Sequence, residues 1–180
     1  IIIINMIYKI IILICALQSF FSLAYAESGL ITSKRYFLNP HKIGEAKFTY
    51  LFWDIYHAEL YAPISGWNPE KPFALSLKYF REFEGIDIAD KSISEIEGQG
   101  FSDRKLLDEW KLQLREILPD VSDGTILTGI RNTNGHTLFY HDGSKIGVIK
   151  DTKFTKRFFN IWLGKKTSEP SLRRALLGDS

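Results

Sequence analysis

Cysteine is nearly absent from this chain of 180 residues, which contains a single one. One thiol excludes an internal disulfide framework and a cysteine-based zinc site within one chain. An excess of charge of either sign is also missing, because 23 basic and 21 acidic side chains give a net charge of +2. That balance lacks the basic surface of a nucleic-acid-binding protein, so we expect no nucleic-acid partner.

Sequence motifs of several enzyme classes are missing as well. The chain contains no G-x-S-x-G, no P-loop and no G-x-G-x-x-G, the signatures of α/β-hydrolases, nucleoside triphosphatases and dinucleotide-binding enzymes. No two of the four histidines have the spacing of a metal-binding helix, and we expect all four to be surface residues. They are His41, His57, His136 and His141. We therefore predict neither a metal ion nor a cofactor.

Residues 1–26 have the pattern of a secretory signal peptide. Lys9 supplies a basic start, residues 10–24 form an almost unbroken apolar run, and Ala24-Tyr25-Ala26 places small residues where signal peptidase cleaves. The apolar run is short for a bilayer span of about 20 residues. We predict cleavage after Ala26, a periplasmic or secreted location, and a mature chain without a stable membrane span.

The remaining residues, 27–180, are predicted to form a single domain. Aromatic and β-branched side chains between Lys42 and Ala62 predict two consecutive strands or one long bent strand. Alternating side chains predict a strand from Phe73 to Arg81. Turn signals at Asn134-Gly135 and Asp142-Gly143 predict a meander of three further strands.

Apolar residues at helical spacing predict four helices among these strands. The first ends near Gly98, and the second has Ser102 as its N-cap and ends before Pro119. The third covers residues 151–163, and a short last helix opens at Ser168. Strands, helices, strands and helices in this order predict an α+β fold, an antiparallel sheet with helices packed on one face.

Asp54 is the acid with the most apolar neighbours, in the segment Leu51-Phe52-Trp53-Asp54-Ile55-Tyr56. One interpretation is a carboxyl group whose pKa is raised, as catalytic acids require. The other is a carboxylate that bonds nearby backbone or a basic partner. The sequence leaves both open.

Tyr79 and Arg81 continue the apolar face of the predicted strand that begins at Phe73. One interpretation is a pocket for an amphipathic anion, with apolar walls and with Arg81 and Tyr79 on the carboxylate. The other is that the strand emerges into solvent there and Arg81 pairs with an acid such as Glu82 or Asp87.

Several segments resemble the bacterial chalcone isomerase-like proteins, in the family's order. They are Leu51–Tyr56, Ala58–Pro63, Leu77–Arg81, Ile88–Ser92 and Phe158–Gly164 followed by Ser168-Glu169-Pro170. The resemblance covers about residues 42–178. It implies an open-faced β-sandwich, an antiparallel sheet backed by a layer of helices, with a ligand cleft between sheet and helices.

The resemblance also locates the catalytic positions of plant chalcone isomerases. Lys91 matches the lysine of the family's helix-start motif, but Ile88 stands where its tyrosine would be. The late hydroxyl position falls near Ile161, and the early arginine falls near Lys47, which keeps the charge without the bidentate fork. At least two of four catalytic positions are therefore replaced, and we expect no chalcone isomerase activity.

A sister branch of the superfamily binds fatty acids through an arginine and a tyrosine, which is the chemistry of Arg81 and Tyr79. Our leading hypothesis is an exported, non-catalytic protein that binds a small apolar carboxylate such as a fatty acid. The predicted ligand-binding residues are Arg81, Tyr79, Lys47, Lys91, Tyr50 and Tyr56.

Three alternatives remain open at this stage. The chain could be an isomerase or lyase acting on an enone-like or flavonoid-like substrate, with Lys91 and Lys47 polarising an oxygen. It could be a structural or partner-binding protein of the envelope, marked by an exposed apolar patch. The cleft could also be collapsed, filled by side chains such as Phe73 and Trp110.

Overall fold

A six-stranded antiparallel sheet, with its strands in sequence order, organises the computed structural model. The structure describes residues 28–64 and 66–179, and the predicted signal peptide lies outside them. The strands are β1 Pro40–Tyr50, β2 Trp53–Pro63, β3 Phe73–Tyr79, β4 Ile126–Arg131, β5 Thr137–His141 and β6 Ser144–Ile149. The helices are α1 Ser28–Ser33, α2 Gly85–Gly98, α3 Arg104–Ile117, α4 Thr152–Leu163 and α5 Pro170–Leu176. The predicted α+β fold is confirmed.

The two faces of the sheet bury different cores. Because side chains alternate along a strand, Leu75 and Leu77 of β3 face the larger core beneath α2 to α5, whereas Ala74 belongs to a smaller core on the other face. The smaller core is covered by α1 and the residues after it, a helix that the sequence did not predict. Gly29 permits this close packing, since a Cβ there would lie 2.2 Å from Oγ of Ser76.

Side-chain caps fix the starts of α3 and α4 on the larger core. The predicted N-cap Ser102 is wrong by one residue: Asp103 caps α3, accepting from the Leu106 amide at 3.2 Å. Serine and aspartate are about equally good N-caps, so sequence alone could not separate these neighbours. Asp151 caps α4 and also accepts from Nε1 of Trp110 at 2.9 Å, which ties α4 to α3.

The strand that ends at Tyr79 stops two residues before the predicted end at Arg81. Phe80 still donates to the Ile55 carbonyl at 3.0 Å, but Arg81 lies beyond the strand. The alternation of side chains therefore no longer places Arg81 on the same face as Tyr79.

The two consecutive strands predicted between Lys42 and Ala62 are confirmed as the β1–β2 hairpin. Its turn exposes four consecutive large side chains, which we call the hairpin tip: Tyr50, Leu51, Phe52 and Trp53. Leu51 adopts φ 55°, a left-handed conformation that is unfavourable for a branched side chain. Within the part of the chain that the structure describes, no helix has both the length and the apolar composition needed to cross a membrane.

Candidate ligand-binding site

A cavity of about 50 Å³ lies in the larger core, between the sheet and helices α2 and α4. We call it the central cavity. Its walls include Leu75, Leu77, Tyr79, Ile88, Phe158 and Trp162. Sites for small molecules usually measure about 300–1,000 Å³, so aromatic side chains of α4 fill most of the cleft that the resemblance implies. Phe73 and Trp110, the residues expected to fill a collapsed cleft, are buried but do not line this cavity.

Tyr79 lines the central cavity, and the ring of Tyr56 packs against it with the two centroids 5.9 Å apart. The hydroxyl of Tyr56 accepts a hydrogen bond from Nε1 of Trp162 at 3.0 Å. The hydroxyl of Tyr79 makes no hydrogen bond to another described residue, although Tyr79 is only 5% exposed. Burial raises the pKa of both phenols, so both are neutral at pH 7 and Tyr79 has a proton to donate.

Tyr56 and the other four predicted ligand-binding residues are not among those that line the central cavity. Arg81 is exposed, and its guanidinium carbon lies 4.2 Å from the centroid of the Trp53 ring. Nζ of Lys91 lies 2.6 Å from a Glu95 carboxylate oxygen. Lys47 and Tyr50 are also exposed. The chain emerges into solvent just after the end of β3, as one interpretation holds, but the partner of Arg81 is the aromatic ring of Trp53 rather than Glu82 or Asp87. The ligand-binding roles of these four residues stay predictions.

Asp54 is a paired carboxylate. Register between β1 and β2 places it opposite Thr49, and its oxygens lie 2.8 Å from Nζ of Lys47 and 2.9 Å from Oγ1 of Thr49. The hydrogen bond from Lys47, followed by that from Thr49, lowers the pKa of Asp54. The interpretation of Asp54 as an acid with a raised pKa is therefore wrong.

A cluster with metal-ligand chemistry occurs on the exposed part of the same hairpin. Ligand atoms of Glu45, His57 and Glu59 all lie within 4.8 Å of one another. Nζ of Lys42 lies 2.6 Å from Glu45 and 3.3 Å from Glu59. The lysine already supplies the positive charge that these carboxylates attract, so the cluster is explained without a metal ion.

A second and larger cavity, of about 330 Å³, opens at the edge of the helical layer. It lies between the β2–β3 loop, the end of β4, and helices α4 and α5. We call it the basic cavity, because four basic side chains and one acid, Glu70, line it: Arg131, Lys156, Lys165 and Arg173 are the basic ones. The sequence alone does not reveal this site, because its residues come from separate segments of the chain. One signal was present in the sequence. Arg131 lies two residues after Gly129, and alternation along β4 therefore places it on the same face, the one that faces the helices.

The chain is similar to known proteins in sequence and in fold. A family described as chalcone isomerase-like matches residues 47–178. An uncharacterized protein of Haemophilus influenzae is 28% identical over 149 residues, which cover 79% of this chain and 70% of that protein. The crystal structure of a fatty-acid binding protein of Arabidopsis thaliana superposes with a TM-score of 0.62 at 12% identity, covering 79% of this chain and 89% of that one. The last similarity is one of fold.

Proposed function

This chain belongs to the chalcone isomerase-like family, and we propose that it binds a small apolar carboxylate, such as a fatty acid, in the central cavity without catalysing a reaction. The observation that carries the proposal is the hydroxyl of Tyr79, a neutral donor on a residue only 5% exposed, which lines an apolar cavity and makes no hydrogen bond to another described residue. A phenol donates readily to a carboxylate, and a carboxylate oxygen in the cavity would accept this hydrogen bond. The fatty-acid binding protein of similar fold supports the same ligand class.

Binding requires the central cavity to open. Its volume of about 50 Å³ is several times smaller than a typical small-molecule site. Phe158 lines the cavity and is held by apolar contacts, including the ring of Trp162 at 5.4 Å. Trp162 is tethered to Tyr56 by a hydrogen bond. Movement of Phe158 is therefore the less costly way to admit an acyl chain.

Three positions support a role without catalysis. Ile88, which stands where the family has a catalytic tyrosine, lines the central cavity and offers no polar group. Ile161 is buried and apolar. Lys91 is exposed and paired with Glu95, so it does not polarise a substrate in this cavity. We expect the protein to leave the enone absorbance of added chalcones unchanged, and a loss of that absorbance would favour the isomerase alternative.

Native mass spectrometry of protein purified without detergent, followed by solvent extraction, tests the ligand class. We expect a co-purified acyl chain. Tyr79→Phe should weaken fatty-acid binding about tenfold, the value of one hydrogen bond to a charged group. Arg81→Ala is the matched variant, because the sequence predicts Arg81 as the residue that binds the carboxylate. A loss with Arg81→Ala alone would move the carboxylate to the surface, and a protein indifferent to added fatty acids would overturn the proposal.

Export is part of the same proposal. It is supported by the basic start, apolar run and Ala24-Tyr25-Ala26 motif of residues 1–26. Periplasmic fractions should contain a chain whose intact mass equals that of residues 27–180. A full-length chain confined to the cytoplasm would contradict export while leaving ligand binding open to its own test.

A second role, docking on a lipid bilayer surface, is favoured by the hairpin tip. Leu51 and Phe52 are 73% and 94% exposed at the apex, with Tyr50 and Trp53 flanking them, the order in which these side chains enter a membrane interface. The strained φ of Leu51 is typical of functional positions. Four side chains are too few for the roughly 800 Å² that each partner contributes to a stable protein interface.

Co-sedimentation with vesicles of phosphatidylethanolamine and phosphatidylglycerol tests this second role. The double variant Leu51→Ser and Phe52→Ser should lose binding. Leu112→Ser, which changes another exposed leucine on α3, is the matched control and should bind normally. Equal binding by both variants would overturn the docking role.

A further inference from the structure

The basic cavity contains the one buried side-chain nitrogen or oxygen without a hydrogen-bond partner in residues 28–64 and 66–179. This atom is Nε1 of Trp67. Two other tryptophans show the usual solution, since Nε1 of Trp110 donates to Asp151 and Nε1 of Trp162 donates to Tyr56. A buried donor left unpaired costs free energy and calls for an explanation. The ring of Trp67 lines the cavity, so this unpaired donor belongs to the cavity wall, although the nitrogen itself is covered.

The cations around the cavity are incompletely neutralised by the protein. The side chain of Arg131 is only 12% exposed, and its carboxylate neighbour Glu70 lies 3.5 Å away and is 69% exposed. Arg131 also donates to the Asn132 carbonyl at 3.2 Å. A guanidinium this buried normally has a close, well-formed anionic partner. Its five donors therefore leave capacity for an anion.

Arg173 adds a second guanidinium from α5. Its Nε donates to the Leu163 carbonyl at 2.9 Å, which holds the side chain while its terminal nitrogens make no hydrogen bond to the described residues. Lys156 and Lys165 extend the positive charge along the exposed side of the cavity. Guanidinium groups bind carboxylates and phosphates through two parallel hydrogen bonds.

The rest of the wall is aromatic. Trp67 and Phe73 make an edge contact with centroids 6.0 Å apart, and Phe73 meets Phe159 at 4.7 Å. The cavity volume of about 330 Å³ falls within the range of small-molecule sites. The space is too polar at its mouth for a wholly apolar ligand and too apolar at its wall for a bare ion.

We propose that the basic cavity is a binding site for a small oxyanion, a carboxylate or phosphate, attached to an apolar ring-sized body. Arg131 and Arg173 bind the oxyanion, and a turn of the Trp67 ring, whose Nε1 is covered in the ligand-free structure, lets the indole donate a further hydrogen bond. Phe73 and Phe159 contact the apolar body. Phe159 lines both cavities, but Arg131, Arg173 and Trp67 line only the basic cavity, so the proposal does not depend on the proposed fatty-acid binding.

Titration of benzoate and phenyl phosphate into the ¹⁵N-labelled protein tests the site directly. The chain has four tryptophans, and Trp67→Phe identifies the Trp67 indole signal by its disappearance. We expect this signal to move on addition of either probe, while the Trp110 signal stays in place. A Trp67 signal that does not respond to either probe would overturn the proposal.

Variants separate the site from general electrostatic attraction. Arg131→Gln and Arg173→Gln should each weaken benzoate binding about tenfold or more. Arg157→Gln is the matched control, because Arg157 lies on α4 over the ring of Phe101, with its guanidinium carbon 5.0 Å from the centroid, and should have no effect. Equal weakening by all three would overturn the proposal, and an unchanged Trp110 signal certifies that each variant is folded.

Two further titrations define the ligand class and the independence of the site. Phenyl phosphate should bind more tightly than inorganic phosphate, because only the former has an apolar body. Equal affinities would overturn the assignment of the aromatic wall. Tyr79→Phe should leave benzoate binding unchanged, so a failure of the fatty-acid proposal and a failure of this one are distinguishable.

Discussion

The central cavity and the basic cavity lie on the same helical layer but differ in what closes them. Apolar side chains of α4 fill the central cavity to about 50 Å³, whereas the basic cavity remains open at about 330 Å³. Repulsion among its four basic side chains opposes closure of the basic cavity. Packing favours closure of the central cavity, because each aromatic contact with Phe158 adds favourable dispersion energy.

This difference changes what a ligand must do at each cavity. A ligand of the central cavity displaces packed side chains, so its affinity is reduced by the cost of opening. A ligand of the basic cavity replaces water and neutralises charges that are already in position. The central cavity is therefore expected to be selective for long apolar bodies, and the basic cavity for small anions.

Enlarging the central cavity should have the largest effect. Phe158→Ala removes the ring that fills it and should lower the free energy of unfolding by about 3–5 kcal/mol. Added fatty acid should restore part of this loss by occupying the new space. The control variant is Leu107→Ala, at a buried position that lines neither cavity. It should also be destabilised, but added fatty acid should not restore its stability. Urea unfolding with and without fatty acid measures both, and rescue of both variants alike would contradict the comparison.

The indoles of Trp110 and Trp67 give the second largest contrast. Asp151→Ala removes the cap of α4 and the partner of Trp110, and should lower the free energy of unfolding by about 2–4 kcal/mol. Trp67→Phe removes a donor that has no described partner, so it should cost less than about 1 kcal/mol in ligand-free protein. A comparable loss in both variants, measured by urea unfolding, would mean that the Trp67 indole is satisfied within the protein.

The sheet and most helices could be predicted because their signals are local. Alternation marks β3, and Asn134-Gly135 and Asp142-Gly143 mark the turns between the last three strands, with Gly135, Asp142 and Gly143 all at positive φ. Helix α1 was missed, because its six residues are too few to show helical periodicity and its stability comes from packing on the smaller core.

Site residues were predicted less well for a physical reason. Tyr79 and Tyr56 lie within regular strands, where alternation fixes the face. Arg81 follows the end of β3, where alternation no longer applies. The basic cavity combines Trp67 from a loop, Arg131 from β4 and Arg173 from α5, and only the tertiary structure brings these together.

Alkaline pH should reveal the neutral phenols of Tyr79 and Tyr56. Burial raises the pKa of Tyr79 and Tyr56 above the unfolded value near 10. Their contribution to stability is therefore fully present below about pH 10 and is lost as the pH rises. At about pH 11, each should reduce the free energy of unfolding by about 1.4 kcal/mol, and Tyr79→Phe should remove one such contribution. Urea unfolding against pH measures this, and an unchanged slope in Tyr79→Phe would contradict a buried, neutral phenol.

Salt should have the smallest effect, and only at the basic cavity. Lys156 and Lys165 are exposed, so ions screen their attraction for an anion once the Debye length falls from about 30 Å to about 8 Å. Raising ionic strength from about 0.01 M to about 0.15 M should weaken benzoate binding roughly threefold. Fatty-acid binding through the neutral Tyr79 hydroxyl should change less, because no protein charge lines the central cavity. Equal salt dependence of the two ligands, measured by titration calorimetry, would mean that both use the same cations and that the two cavities do not act as separate sites.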